Sequence, residues 1–253
     1  MKVQYFGDVS DYRKYALLRA FARVGLKIGV CWVMTESDER SDGQFRRYIE
    51  KPNKWRQYDP ELFDFLETVQ ENPAKGFKQF EVTELLPSAL YFNALTPDGK
   101  SERQVWHLNA MAALAGAELV FFDPDNGFEV SSRAKGRKYS SKFTFFDEVA
   151  DHYREGRSVL VYQHFPRKPR AEFIKELAGE MRRHLSEADV WAFETAHVVF
   201  MLGAQPNHRH ATTEAAGRVE ARLVPDFFRD AKRTAFSAAS IEKQIAAIEA
   251  DLF

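Results

Sequence analysis

Residues 118–127 have the sequence Glu-Leu-Val-Phe-Phe-Asp-Pro-Asp-Asn-Gly, in which a short apolar run is followed at once by five turn-forming residues. A continuous apolar run of this length is typical of a strand that is buried on both faces. The residues from Asp123 to Gly127 end that strand abruptly. A turn alone does not require two acids and an amide directly after a buried strand. We therefore expect a functional turn at this strand end.

The alternation of apolar runs and amphipathic segments extends over the whole chain. Strands are predicted at residues 27–34, 79–84, 118–122, 158–162, 190–194 and 197–202. Helices are predicted at residues 12–24, 60–71, 105–115, 146–156, 170–186 and 241–252. This order predicts an α/β fold with a Rossmann-like, doubly wound and mostly parallel sheet that has helices on both faces. An antiparallel pair of strands can close the sheet at its end. Residues 1–253 are predicted to form one domain, with an inserted lid near residues 205–215.

The composition excludes several classes of protein. The chain has 253 residues, with 36 Lys and Arg against 37 Asp and Glu and a net charge of −1, as in an ordinary folded protein. Its longest apolar runs are far shorter than the roughly 20 residues of a membrane-spanning helix, and no apolar segment of signal-peptide length lies near Met1. We therefore expect a cytoplasmic protein. Cys31 is the single cysteine, which excludes a disulfide framework and a cysteine-cluster zinc site.

Ligands of doubly wound sheets bind beyond the carboxyl ends of the strands. Polar side chains follow several predicted strands there, at Glu36, at Glu84, from Asp123 to Asn126, and at Gln163 and His164. His164 is a candidate acid or base because the pKa of histidine is near neutral. The candidate catalytic residues are Asp123, Pro124, Asp125, Asn126 and His164.

Two basic windows begin after two of these strand ends. Residues 131–142 and 166–170 together contain eight Lys and Arg residues and no acid. If the strands are parallel, both windows leave the same edge of the sheet and form a basic rim that suits phosphates. A solvated loop is the alternative interpretation. The candidate substrate-binding residues are Phe128, Arg133, Lys135, Arg137, Lys138, Gln163, Arg167, Lys168 and Arg170.

The order of these motifs resembles that of class I S-adenosylmethionine-dependent methyltransferases, particularly the adenine-N6 enzymes of ribosomal RNA and the three-Cys-motif partner proteins. The resemblance is carried by Gly7-Asp8 and Lys14 in the lead-in to the first helix, by the acids after the early strands, and by Asp123-Pro124-Asp125-Asn126. The chain also resembles a bacterial group marked by Phe-Phe-Asp-Pro-Asp-Asn-Gly and Tyr-Gln-His-Phe-Pro-Arg.

The resemblance implies roles for individual residues. In the family an Asp-Pro-Pro-aromatic tetrad holds the target amino group, and its aromatic ring stacks on the base. Asp123 and Pro124 match that tetrad, Asp125 and Asn126 do not, and Phe128 would have to supply the ring. The resemblance implies S-adenosylmethionine as cofactor. The candidate cofactor-binding residues are Asp8, Lys14, Glu36 and Glu84. The family's glycine-rich turn after the first strand is missing, since residues 35–42 contain no glycine.

Three functions follow from these features. The first is methyl transfer to a nucleic-acid base, with the adenine amino group as target, RNA favoured over DNA and no membrane partner. The second is a nuclease or phosphoesterase that uses Mg²⁺ on Asp123, Asp125, Glu129 and the acids between Glu36 and Asp42. His164 would be its base, and the basic rim would hold the substrate phosphates. The third is a non-catalytic adaptor that binds nucleic acid or protein with a degenerate methyltransferase fold. No metal site is predicted under the first function.

Overall fold

The computed structural model describes residues 1–37 and 45–223, and the predicted helix at 241–252 lies outside them. Its centre is a six-stranded sheet. The strands of this sheet are β1 (Ile28–Cys31), β2 (Leu90–Phe92), β3 (Leu119–Phe122), β6 (Ser158–His164), β7 (Asp189–Glu194) and β8 (Val198–Ala204). Two short strands, β4 (Gly127–Phe128) and β5 (Phe143–Thr144), form a separate parallel pair.

The order of strands across the large sheet is β2-β1-β3-β6-β8-β7. The pairs β2–β1, β1–β3 and β3–β6 are parallel, whereas β8 is antiparallel to both β6 and β7. The prediction of an α/β fold with a mostly parallel sheet and a closing antiparallel pair is therefore confirmed. β2 lies on one side of β1, and the next strand of the sheet along the chain, β3, lies on the other side. The order in which strands are added therefore reverses between β1 and β3. This position is the topological switch point of the sheet.

Helices cover both faces of the sheet. They are α1 (Val9–Ala22), α2 (Pro52–Trp55), α3 (Pro60–Thr68), α4 (Pro73–Phe80), α5 (Lys100–Ala113), α6 (Phe146–Arg154), α7 (Arg170–His184) and α8 (Arg209–Leu223). Among these helices of residues 1–37 and 45–223, none has the length and apolar character needed to cross a bilayer. The start of α3 is fixed by its sequence, because the Asp59 carboxylate accepts a hydrogen bond from the Leu62 amide and Pro60 occupies the first helical position.

The side chains of the sheet alternate between two cores. Phe121 and Leu160 point toward α1, α3, α4 and α8, while Val120 and Phe122 point toward α5, α6 and α7. The first core contains many rings, and Trp32 stacks on the Tyr91 ring with centroids 5.2 Å apart. The high aromatic content of the chain is thus used largely for packing.

The strand predicted at 79–84 is wrong. Residues 73–80 form α4, because the Asn72 side chain accepts a hydrogen bond from the Lys75 amide and Pro73 sets the first turn. Phe77 and Phe80, three residues apart, bury the same face of that helix. The neighbouring strand is instead β2, at residues 90–92. Residues 206–208, in the stretch predicted as a lid, form a 3₁₀ helix that leads from β8 into α8.

Candidate functional site

The carboxyl ends of β1, β2, β3 and β6 lie together along one side of the sheet, which we call the carboxyl edge. Asp123 follows β3 directly, and its amide donates a hydrogen bond to the carbonyl of Cys31 at the end of β1. The turn of residues 123–126 therefore lies at the switch point, where ligands of this type of sheet bind.

Asp123 is held by a buried ion pair. Its carboxylate is 2% exposed, and Oδ2 accepts a hydrogen bond from the Lys14 Nζ at 2.6 Å. The same ammonium lies 2.7 Å from Oδ1 of Asp11. Burial alone would lower the pKa of Lys14, but the two carboxylates outweigh it and raise that pKa well above its usual value. Lys14 thus remains charged between two acids.

Asp8 shapes the start of α1 beside this ion pair. Its Oδ1 accepts hydrogen bonds from the amides of Ser10 and Asp11, which makes it the N-cap of the helix. Burial, reinforced by the Asp11 carboxylate, raises the pKa of Asp8 from 3.8 to about 8. Burial also raises the pKa of Asp11. Asp8 and Lys14, both predicted to bind a cofactor, are thus buried beside the carboxyl edge, where Asp8 caps α1 and Lys14 belongs to the ion pair.

Asp125 lies in the crevice between β1 and β3. Its Oδ2 accepts a hydrogen bond from the Thr35 hydroxyl at 2.8 Å, and its Oδ1 lies 2.9 Å from the amino group of Met1. Burial acts to raise the pKa of Asp125, but the amino group, Thr35 and Lys142 outweigh it, so the pKa lies below its ordinary value. Asp125 is consequently ionised at neutral pH, and it pairs with the amino group of Met1 in the crevice.

Gln163 fixes the other end of the turn. Its Oε1 accepts a hydrogen bond from the Phe128 amide at 2.8 Å, and its Nε2 donates one to the carbonyl of His164 at 2.7 Å. Gly127 has a φ of +113°, and a Cβ there would collide with the Gln163 amide. Gln163 is therefore a positioning residue, which corrects its prediction as a direct substrate contact.

Phe128 also differs from its predicted role. Its ring is 4% exposed and stacks on the Phe146 ring, with centroids 4.3 Å apart. A base cannot stack on a ring that the core covers in this way. Phe128 belongs to the packing between the turn and α6.

The acids predicted after the first two strands have different positions. Glu36 is exposed, one residue after Thr35 at the carboxyl edge. Glu84 is exposed in the turns between α4 and β2, so it does not end a strand. Glu81 instead lies at the end of β2, where Glu84 was expected to lie. Asn93 directly follows β2, and its Nδ2 donates a hydrogen bond to Oε1 of Glu81 at 2.6 Å. Burial raises the pKa of Glu81.

The remaining catalytic candidates lie at the rim of the crevice. Within the turn, Pro124 is buried and Asn126 is exposed. His164 is the last residue of β6 and lies at the surface. Partial burial by the surrounding chain lowers its pKa, and the Asp123 carboxylate opposes this effect. The imidazole is therefore neutral at pH 7.

Three residues of the two basic windows are paired with acids. Lys135 lies 2.6 Å from an oxygen of Asp147. Lys168 pairs with Glu176, and Arg170 lies 3.5 Å from Glu194. These contacts stabilise the loops. They leave less positive charge for phosphates than the composition of the windows indicates.

Four of the other basic side chains are exposed, and Lys142 is half-buried. Arg133, Lys138 and Lys142 lie near the ring of Tyr139, whereas Arg137 and Arg167 are exposed and have no ion pair within the described residues. The amide of Asn126 donates a hydrogen bond to the carbonyl of Lys142 at 3.0 Å. The first basic window is therefore attached to the acidic turn, as expected for segments that leave the same edge.

A cleft of about 660 Å³ lies elsewhere, lined by residues Pro206, Asn207, Arg209, His210, Thr213 and Glu214. It adjoins the end of antiparallel β8, at the opposite edge of the sheet. Across residues 1–37 and 45–223, no three His, Cys, Asp or Glu side chains converge as a metal site would require.

No family model, no curated protein and no solved structure matches this chain. Sequence reasoning missed the roles of Asp11, Glu81 and Thr35 at this edge. The acid at Asp11, one helical turn before Lys14, was the available signal for the first of them.

Proposed function

We propose that this chain is an S-adenosylmethionine-dependent, methyltransferase-like protein with a Rossmann-like, doubly wound fold that acts on a nucleic-acid base, the adenine amino group being the favoured target. One observation carries the proposal. The turn of residues 123–126 lies at the switch point, and the hydrogen bond from Asn126 to Lys142 attaches the basic loop to it. Carboxylates at the switch point beside a basic rim are suited to a cationic cofactor and a polyanionic substrate.

The donors of the crevice fit the cofactor by their chemistry. S-adenosylmethionine carries a sulfonium and an ammonium, which carboxylates such as Asp125 and Glu36 would stabilise. Its ribose hydroxyls suit the pair of Glu81 and Asn93 at the end of β2. A nucleotide phosphate would instead need backbone amides at a helix N-terminus, whereas the crevice offers acids.

The segment after β1 departs from the family that the sequence resembles. Bulky Trp32 is buried directly after β1, and the Thr35 amide already donates a hydrogen bond to the carbonyl of Met1 at 2.9 Å. Close backbone approach to a ligand is therefore replaced by side-chain contacts. The cofactor would be held mainly by Asp125, Glu36 and Glu81.

The bound cofactor would supply an electrophilic methyl group. Lys14 occupies Oδ2 of Asp123, and Oδ1 makes no hydrogen bond within the described residues, so Oδ1 would accept one from the exocyclic amino group of the base. The methylated nitrogen must release a proton. His164, neutral at pH 7 and electrostatically coupled to Asp123, would accept it.

The test is transfer of a tritium-labelled methyl group from S-adenosylmethionine to single-stranded RNA. Asp123→Asn should lower the rate by about a hundredfold or more, while Lys14 keeps Asp11 as partner and the far-ultraviolet circular dichroism stays unchanged. Asp64→Asn, which changes an exposed acid of α3, is the matched control and should keep the full rate. A full rate in Asp123→Asn would refute the assignment.

A further inference from the structure

Tyr139 has a backbone conformation that needs an explanation. Its φ is +70°, in the left-handed region that a bulky residue rarely adopts because it is strained. The conformation is fixed by Asp98, whose carboxylate accepts hydrogen bonds from the amides of Tyr139 at 2.8 Å and Ser141 at 2.7 Å. The strained turn presents its ring to solvent, and 47% of the residue is exposed. Such strain is often retained at functional sites.

Three cations surround that ring. Nζ of Lys138 lies 4.9 Å from the ring centroid, Nζ of Lys142 lies 5.7 Å from it, and the Arg133 guanidinium carbon lies 5.9 Å from it. None of the three has a carboxylate partner within the described residues. Attraction to the ring gathers their charge at one point on the surface.

The surroundings of this cluster favour a nucleic acid over a membrane. Apart from Tyr139, residues 131–142 contain only charged, hydroxyl, alanine and glycine residues, so the loop lacks the apolar side chains that insertion into a bilayer requires. An accessible aromatic ring among cations is typical of single-strand binding surfaces, where bases stack and phosphates pair with Lys and Arg.

We propose that Tyr139, with Arg133, Lys138 and Lys142, is a contact site for single-stranded RNA, in which a base stacks on the Tyr139 ring and the three cations hold the adjoining phosphates. The inference rests on the nucleic-acid part of the proposed function and names the residues that hold the strand. Lys142 connects the site to the acidic turn, since it lowers the pKa of Asp125 and its carbonyl accepts the Asn126 amide. The strand would therefore lie beside the switch point.

The experiment is fluorescence anisotropy with a fluorescein-labelled single-stranded RNA of roughly twelve nucleotides, without any methyl donor. Tyr139→Ala should weaken binding about tenfold, whereas Tyr139→Phe, which keeps the ring, should stay within about twofold of wild type. Tyr139→Gly should also weaken binding about tenfold. Glycine accepts a positive φ and keeps the amide that bonds Asp98, so this variant separates loss of the ring from loss of the fold.

The charges are tested by the salt dependence of the same binding. Lys138→Glu should weaken binding and reduce the slope of log K against log salt by about 1. Lys27→Glu makes the same charge change at the exposed start of β1, at the opposite edge of the sheet, and should leave the slope unchanged.

Wild-type affinity in both Tyr139→Ala and Tyr139→Gly would overturn the inference, as would an equal loss in Lys138→Glu and Lys27→Glu. Binding of phosphatidylserine vesicles through Tyr139 with no binding of RNA would also overturn it. Because no methyl donor is present, these results are independent of cofactor binding. Loss of RNA binding in the Tyr139 variants of a protein that does not bind S-adenosylmethionine would support this inference and contradict the proposed function.

Discussion

Replacing Lys14 with methionine removes the positive charge between two buried carboxylates. The ammonium lies 2.7 Å from Asp11 and 2.6 Å from Asp123, and the three side chains are at most 5% exposed. Removing one member of a buried ion pair costs about 3–5 kcal/mol, because the remaining charge has no partner. Since domains of this kind unfold with about 5–15 kcal/mol, Lys14→Met should lose about a fifth or more of the stability. Urea denaturation followed by tryptophan fluorescence at pH 7 measures the loss.

The deficit should also depend on pH. Without Lys14, which lowers it, the folded-state pKa of Asp11 rises further above its unfolded value, so the folded variant binds a proton that the unfolded chain releases. Its stability relative to wild type should therefore improve as the pH falls from about 8 to about 5. Arg56→Met is the matched control, since Arg56 lies 2.6 Å from Asp64 in an exposed pair and its loss should have little effect. Equal, small losses in both variants would refute the buried arrangement.

Two further predictions concern the residues around the turn. Because the pKa of Asp8 is raised to about 8, its contribution is present below pH 3.8 and is lost as the pH rises toward 8. Asp8→Asn still caps α1, and it should reduce the decline of the unfolding free energy with rising pH by up to roughly 1.4 kcal/mol per pH unit. An unchanged slope of unfolding free energy against pH, measured by urea titrations, would contradict this. Gly127→Ala should lose about 1–3 kcal/mol in thermal unfolding because its Cβ collides with Gln163 at a positive φ. Gly179→Ala, in open space within α7, should instead gain about 0.5–1 kcal/mol, and the reverse order of the two variants would refute the turn geometry.

The elements that could be predicted are those whose signal is local. The apolar run before Asp123 and the run that starts at Ser158 are bounded by turn residues, and both are central parallel strands. The strand at 79–84 was predicted because Phe80 and Val82 alternate with polar residues, and this prediction was wrong. The cap at Asn72 and the packing of Phe77 determine a helix that ends at Phe80.

The candidate site was only partly predictable because its contacts join distant segments. The carboxyl edge was predicted from the order of strands, and Asp123, Asp125 and Lys14 meet there. The pairing of Lys14 with Asp123 spans 109 residues, and no local pattern reveals it. The composition of the basic windows likewise could not separate Lys135, which pairs with Asp147, from the lysines around Tyr139.

The most direct test of the proposed function is isothermal titration of the purified protein with S-adenosylmethionine and with its demethylated product. The carboxylates in the crevice between β1 and β3 predict micromolar binding of the sulfonium form. Binding should be at least tenfold weaker in Asp125→Asn, as expected if one charge pair worth about 1.4 kcal/mol is lost. It should be unchanged in the surface control Asp64→Asn. Absence of binding at millimolar cofactor, in a protein whose unfolding transition is cooperative, would contradict the proposed methyl transfer.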